Sequence, residues 1–243
     1  MKAVILAAGV GSRLRPLTDT VPKALVPVGG ATILARELAA FARAGVAEAI
    51  VVAGYRAAAL RAAVRGAPLP VTVVENPRYE TTQNIASLMC ARDALDGAGF
   101  FQIDGDVLFD DAVLARLGAT DAPVALAVDS LRALDDEAMK AVFAPGPGRR
   151  VARLGKELPP GAGAAAGLGE SIGLARIGAA AAPRLFTAMA ELLAEGGDQL
   201  YYESAYQRLI DAGLPFDAVE VGDLRWMEID DHDDLRRAAA LFA

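Results

Sequence analysis

Lys2-Ala-Val-Ile-Leu6-Ala7-Ala8-Gly9-Val-Gly11 decides the fold. A short apolar run of β type feeds straight into a pair of glycines, the pattern of a buried strand entering a tight turn. The chain then alternates. Leu34, Leu38 and Phe41 fall at i, i+4 and i+7, which predicts an amphipathic helix over 32–44 with Gly45 as its C-cap. Strands are expected over 49–53, 71–75, 99–104 and 123–129, and helices over 56–65 and 84–95. Strands separated by helices of this length predict an α/β fold, a Rossmann-like mixed, mostly parallel sheet with helices on both faces. Ligands in such sheets bind at the carboxyl ends of the strands. The Gly9 turn, Glu75-Asn76 and Asp104-Gly105-Asp106 all fall at such ends.

Beyond residue 130 the pattern loosens. Residues 145–150 and 159–169 are rich in Gly, Pro and Ala and are expected as mobile loops. A strand is expected over 171–177, helices over 179–195 and 198–212, a strand over 224–229 and a closing helix over 233–242. The 243 residues suit one α/β domain with an insertion, or two merged lobes, and the 54% apolar share supplies a sizeable core. A net charge of -7 without a basic stripe argues against a nucleic-acid partner, though not against a local basic pocket for phosphates. Cys90 is the one cysteine, so no disulfide can form within the chain, in keeping with a cytoplasmic location. Residues 3–10 look like a signal-peptide core, but Arg13, Arg15 and Lys23 follow at once. The run is also too short to span a bilayer, so neither a targeting segment nor a membrane partner is expected. Nothing in the sequence fixes an oligomeric state.

The densest motif continues from Gly9 and Gly11 through Ser12-Arg13-Leu14-Arg15-Pro16-Leu17-Thr18 to Pro22-Lys23-Ala-Leu-Val-Pro27-Val-Gly29-Gly30. Glycines let a backbone approach a ligand, and successive N–H groups form an anion nest. Arg13 can fork onto phosphate oxygens, Lys23 supplies a compact charge, and Pro22 and Pro27 stiffen the segment between them. A plain strand–turn–helix with incidental basic residues is the competing reading. A dinucleotide fingerprint lacks its acid about 20 residues on, and no Gly-Lys-Ser/Thr of a Walker A loop follows.

Ala-Ala-Gly-x-Gly-x-Arg-Leu, then Pro-x-Thr, then Pro-Lys-x-Leu-x-Pro-x-Gly-Gly resembles the signature of the sugar-phosphate nucleotidyltransferase superfamily across residues 1–30. The resemblance implies a magnesium-dependent nucleotidyltransferase. Residues 1–130 would bind nucleotide, and residues 131–243 would bind acceptor and end in the closing helix. Leu6, Ala7, Ala8, Gly9 and Gly11 would hold the base and ribose side, and Arg13 and Lys23 the triphosphate. The superfamily carries a Gly-Asp with the aspartate on metal, which falls on Asp106. Two acids at the end of a buried strand beside a phosphate site suit Mg2+, although Asp-Gly is also an ordinary turn. Asp104 has no counterpart in that pattern and is grouped with the nucleotide by position.

The second acidic cluster is Trp226-Met-Glu228-Ile-Asp230-Asp231-His232-Asp233. Glu228 and Asp230 would share a strand face. Acids here also suit the N-terminus of the last helix, so Asp231 or His232 is expected near the cap. The superfamily places a metal-binding acid after an aromatic; counting from Trp226 gives Glu228. The Glu-x-Asp pattern of small-alcohol-phosphate cytidylyltransferases would add Asp230. Both stay open.

Asn76-Pro-x-Tyr79, then Thr82-x-Asn84-Ile-Ala-Ser87-Leu88, resembles a segment of the choline-phosphate type of cytidylyltransferase, a group that includes enzymes for aminoethylphosphonate. Asn84 and Ser87, at helical spacing, could bond a pyrimidine edge, or serve as N-cap and surface residue. Tyr201-Tyr202-Glu203, with Trp226 near, would suit an ammonium group. Lys156 would grip the acceptor phosphate, and Glu170 would mark the acceptor site. The expected reaction is CMP transfer from CTP to phosphocholine, 2-aminoethylphosphonate or a similar acceptor, with release of pyrophosphate. The rivals are a sugar-1-phosphate or inositol-1-phosphate nucleotidyltransferase, a molybdopterin-type guanylyltransferase, and an inactive nucleotide-binding regulator.

Overall fold

Val4 and Leu6 point to one side of the first strand and Ala3, Ile5 and Ala7 to the other, and all are buried, so that strand must be covered on both faces. The computed structural model describes residues 1–158, 161 and 167–243 and supplies that cover. Its first half runs β1 (Lys2–Ala7), β2 (Pro27–Val28), β3 (Ala31–Thr32), α1 (Ile33–Arg43), β4 (Ala49–Ala53), α2 (Ala57–Ala63), β5 (Val71–Glu75), α3 (Asn84–Cys90), α4 (Arg92–Leu95), β6 (Phe100–Asp104), β7 (Val107–Phe109) and α5 (Ala112–Gly118). The second half runs β8 (Val124–Asp129), β9 (Lys140–Phe143), β10 (Val151–Gly155), β11 (Leu168–Ile177), α6 (Ala182–Ala194), α7 (Glu203–Asp211), β12 (Phe216–Glu220), β13 (Trp226–Glu228) and α8 (His232–Leu241).

The expected mixed sheet is present. β5, β4, β1 and β6 are parallel neighbours, and β11 joins β6 antiparallel. β11 also pairs with β9 and β8, and β12 lies parallel to β8 at that far side. One face carries a core built with α3, α6 and α7, through Ile85, Leu88, Phe186, Met189 and Leu209. The other carries α1, α2 and α5, through Leu34, Leu38, Phe41, Leu60, Val113 and Leu117. A third, smaller cluster of Leu14, Val26, Val28, Ile33, Leu108, Ile229 and Ala238 fastens the 12–33 segment to β7, β13 and α8. It brings the basic loop beside the last strand. Among the described residues no helix is long and apolar enough to cross a membrane.

Several expected elements shift for local reasons. The helix expected over 84–95 is interrupted at Ala91 between α3 and α4. The helix expected over 198–212 starts at Glu203. The residues before it bond to α3 instead, Asp198 O accepting from Gln83 N–H and Tyr202 N–H donating to Asn84 Oδ1. The strand expected over 224–229 is the three-residue β13, paired with β7 outside the main sheet. The loop expected over 159–169 lies mostly outside the described residues, and its last two residues open β11.

Candidate active site

At the carboxyl ends of β1 and β6 the two strands are in register, Leu6 opposite Asp104, and the chain leaves each through a turn. Gly105 N–H donates to the Leu6 carbonyl at 3.0 Å, and a side chain at 105 would place its Cβ 2.7 Å from that oxygen. Gly11 has φ of 68°, and a Cβ there would lie 2.8 Å from Cβ of Lys23. Both positions therefore need glycine, one for close approach and the other also for its left-handed backbone. Thr18 Oγ1 donates to the Gly11 carbonyl at 2.8 Å and holds the loop closed. Pro22 precedes a short 3₁₀ turn, Lys23–Leu25, that aims Lys23 back at the strand ends.

Lys23 Nζ lies 2.7 Å from Asp106 Oδ2 and 2.8 Å from Asp230 Oδ1, and Arg13 Nη2 lies 2.8 Å from the same Asp230 oxygen. Burial alone would lower the Lys23 pKa, but Asp106 and Asp230 outweigh it and raise it, so the ammonium stays charged. β13 pairs with β7 so that Glu228 faces Val107, and Ile229 N–H donates to the Asp106 carbonyl at 3.0 Å. Asp106, Glu228 and Asp230 thereby each offer an oxygen within 4.8 Å of the others. Burial, then Asp106 and Asp230, push Glu228 up to about 8. Asp106 Oδ1 is buried without a hydrogen-bond partner among the described residues. Asp231 is the N-cap of α8 in a capping box with Asp234, which anchors the chain just past Asp230.

These groups open on a cavity of about 550 Å³. Leu6, Ala7, Ala8, Gly9, Gly11, Arg13, Lys23, Asn84, Ser87, Asp104 and Asp106 line it, and so do Lys156, Glu170, Tyr201, Glu203, Glu228 and Asp230. Lys156 Nζ stands 5.2 Å from the centroid of the Tyr201 ring, and Lys140 donates to the Lys156 carbonyl at 2.9 Å. Glu203 is buried at the start of α7 with Oε2 unpartnered among the described residues, and burial pushes it up to about 7. Burial, then Glu203 and Asp106, hold Asp104 well above the usual carboxylate range, and burial likewise raises Glu170.

Two expected acceptor contacts are corrected. Tyr202 is 1% exposed, and its hydroxyl donates to Asp104 Oδ2 at 2.9 Å from behind the cavity wall. Trp226 is buried, its Nε1 donates to Asp129 Oδ2 at 2.8 Å, and Arg132 stacks on its ring at 4.1 Å. Both rings were drawn inward because a buried hydroxyl or indole N–H needs an acceptor, and each found a buried carboxylate. Gln83, not Asn84, is the N-cap of α3. His232 opens α8, bonds the Arg15 carbonyl at 2.8 Å and does not line the cavity. Sequence reasoning missed Asp135 and Glu137, which line the cavity from the 130–139 segment, Glu137 lying 3.8 Å from Arg13. No periodicity marks that segment. Also missed is Glu37 on α1, 1% exposed, with both carboxyl oxygens unpartnered among the described residues.

A mixed Rossmann-like sheet with a glycine turn, two cations and three converging carboxylates at its strand ends defines the NTP transferase class of domain. The chain belongs to the MobA-like NTP transferase domain family, whose model matches residues 3–209. It is 36% identical over 247 residues to CMP-5'-(3-aminopropyl)phosphonate synthase of Streptomyces rubellomurinus, in an alignment covering 100% of this chain and 39% of that protein. It is 36% identical over 109 residues to 2-aminoethylphosphonate cytidylyltransferase of Lancefieldella rimae, covering 45% of this chain and 44% of that one. The chain thus spans well under two thirds of the length of these relatives. The fold is shared with the inositol-1-phosphate CTP transferase from T. maritima, at TM-score 0.81 and 22% identity over 99% of this chain and 94% of that one. It is also shared with the CTP:phosphocholine cytidylyltransferase from Streptococcus pneumoniae, at TM-score 0.76 and 21% identity over 100% and 99%.

Proposed function

We propose that this chain transfers CMP from CTP to a small aminoalkyl phosphonate or phosphate and releases pyrophosphate. The observation that carries the reading is one cavity in which Arg13 and Lys23 meet Asp106, Glu228 and Asp230, while Glu203, one of whose oxygens is buried with no hydrogen-bond partner among the described residues, lines the same space. The names of the two relatives at 36% identity, both CMP or cytidylyl transferases for aminoalkylphosphonates, support the choice of donor and acceptor.

The chemistry needs no general base, because a phosphonate or phosphate monoester oxygen is already anionic at neutral pH. That oxygen attacks the α-phosphorus of CTP. The bond from the α-phosphorus to the bridging oxygen breaks, and pyrophosphate leaves with the electron pair. The protein's part is positioning and charge neutralisation. In this reading the strand-end turns seat the nucleoside, Arg13 and Lys23 neutralise the leaving pyrophosphate, and Lys156 meets the acceptor's phosphorus-bound oxygens. Residues 1–130 carry the nucleotide and residues 131–243 most of the acceptor contacts.

Asp106, Glu228 and Asp230 form an all-oxygen donor set that fits a hard divalent cation, and magnesium is the proposed ion. The unpartnered Asp106 Oδ1 and the Lys23 ammonium already seated between two of these acids both mark a place built for positive charge. Such an ion, when bound, supplies charge neutralisation at phosphoryl oxygens.

Pyrophosphate release, measured with each of the four common NTPs against a panel of acceptors, tests the proposal. The panel holds 2-aminoethylphosphonate, 3-aminopropylphosphonate, phosphocholine, inositol 1-phosphate and glucose 1-phosphate. CTP with an aminoalkylphosphonate is expected to be fastest. A preference for a sugar phosphate, or no release with any pair, overturns it.

A further inference from the structure

Leu34, Glu37, Leu38 and Phe41 form one face of α1 and all are buried. That face packs against β7 and against the 3₁₀ turn Lys23–Leu25, where Ala24 and Phe109 join the same apolar cluster as Leu34, Leu38 and Phe41. Packing explains the apolar side chains but not Glu37. It is 1% exposed, and neither of its carboxyl oxygens has a hydrogen-bond partner among the described residues. An ionised carboxylate in such a place is strongly disfavoured, so Glu37 is held neutral and has one proton to donate. Burial raises it well above the usual carboxylate range, and Asp106, then Asp104, add to the rise. Asp106 shows the complementary fault. It immediately precedes β7, the strand that α1 packs against. Its Oδ2 meets Lys23 Nζ at 2.7 Å, while its Oδ1 is buried with no donor among the described residues. One buried group thus has a proton without an acceptor, and its charged neighbour has an acceptor without a donor.

We propose that Glu37 is a positioning residue for Asp106: its neutral carboxyl gives its proton to Asp106 Oδ1, directly or through one water, and so fixes the plane of the carboxylate that faces Lys23. Groups one step removed from an ion orient the side chain that holds it. The bond uses one of about four lone pairs on the carboxylate, so it leaves Asp106 free to meet a cation. The inference rests on the metal reading above and names what steadies one of its acids from behind. It also gives a reason for keeping an acid on a helix face that packing alone would fill with a hydrocarbon.

Glu37→Gln keeps the shape and a donor, whereas Glu37→Met keeps the length and loses the donor. Two quantities are compared with wild type: Mn2+ binding to the substrate-free protein, followed by electron paramagnetic resonance, and kcat at saturating CTP and acceptor. Glu37→Gln is expected to match wild type in both. Glu37→Met is expected to bind Mn2+ at least about tenfold more weakly and to lose a like factor in kcat, the usual cost of removing a partner behind a metal ligand. Its thermal midpoint should nonetheless equal or exceed that of wild type, because an unpaired buried carboxyl has given way to an apolar group. Wild-type Mn2+ affinity in folded Glu37→Met overturns the inference and leaves the metal reading standing. Equal impairment of Glu37→Gln and Glu37→Met also overturns it, since a negative charge and not a proton would then be at work. A wild type that binds no Mn2+, or whose binding survives Asp106→Ala, overturns the metal reading and the inference together. Should Glu37→Met fail to fold, Glu37→Leu takes its place in the same measurements.

Discussion

The two ends of the cavity are built by different means. At the end proposed for the nucleotide, the groups come from strand ends and one stiff loop, and both cations are paired: Lys23 with Asp106 and Asp230, Arg13 with Asp230. At the end proposed for the acceptor, Lys156, Glu170, Tyr201 and Glu203 come from three separate segments. There, the Glu203 carboxyl is buried with one oxygen that has no hydrogen-bond partner among the described residues. A paired site stands ready for a ligand that carries its own compensated charge, such as a metal–triphosphate. An unpaired buried acid is stable only when neutral or when a cation arrives, and so, under the function proposed above, Glu203 would favour acceptors bearing an amine.

The sharpest way to break this contrast is at the nucleotide end. Asp106→Ala should lower kcat by at least ~100-fold, and Lys23→Ala by a similar factor, by comparison with the loss of one preorganised charge partner. Circular dichroism should show both variants folded, because each side chain lies at the cavity wall. Near-normal turnover of folded Asp106→Ala would remove it from the set of acids proposed to hold the metal.

At the acceptor end the expected effect is smaller and falls on one substrate. Glu203→Gln should raise KM for an amine-bearing acceptor by roughly tenfold, the value of one charge-assisted contact, and leave KM for CTP unmoved. Because burial holds Glu203 up to about 7, its side chain is neutral below that pH and ionised above it. Acceptor affinity should therefore improve as pH rises through 7 in wild type, and that dependence should vanish in Glu203→Gln. The same shift has a stability consequence of definite sign. A pKa raised from 4.5 favours the folded state fully below pH 4.5, and the benefit is lost as pH rises through 7. Glu203→Gln should thus unfold at a higher temperature than wild type at pH 8, and the gap should close toward pH 4.5. An unchanged gap between those pH values would mean that Glu203 is ionised throughout.

The same contrast governs what was legible in the sequence. The nucleotide-type motifs are each local: the strand, glycines, Arg13 and Lys23 form one stretch of sequence and the strand-end Asp106 another, so each is legible by itself although only the fold brings them together. β12 is not legible, since Phe216-Asp-Ala-Val-Glu220 alternates too few apolar residues to stand out, and only pairing with β8 makes it a strand. β9 and β10 have the same problem, being short strands that exist because β11 lies beside them. The start of α7 depended on Asn84, more than a hundred residues earlier, capturing the Tyr202 N–H. That capture keeps residues 198–202 out of the helix, with Tyr201 at the cavity.

Trp226 gives the smallest expected effect on activity. A tryptophan two residues before a metal-type acid invites placement against the substrate, yet its indole N–H is committed to Asp129, which also accepts from Leu131 and Arg132 N–H. Gly222 borders the same carboxylate, and a Cβ there would lie 2.2 Å from Asp129 Oδ1, so the pocket is fitted to the aspartate and leaves no room for a ligand. Trp226→Phe keeps the ring and loses one buried bond to a charged group, a cost of about 1–3 kcal/mol to folding. Thermal unfolding should register that loss, while KM for both substrates stays within about twofold of wild type, the spread usual for a change outside the site. A rise in acceptor KM with unchanged thermal stability would instead return Trp226 to the substrate's side of the wall.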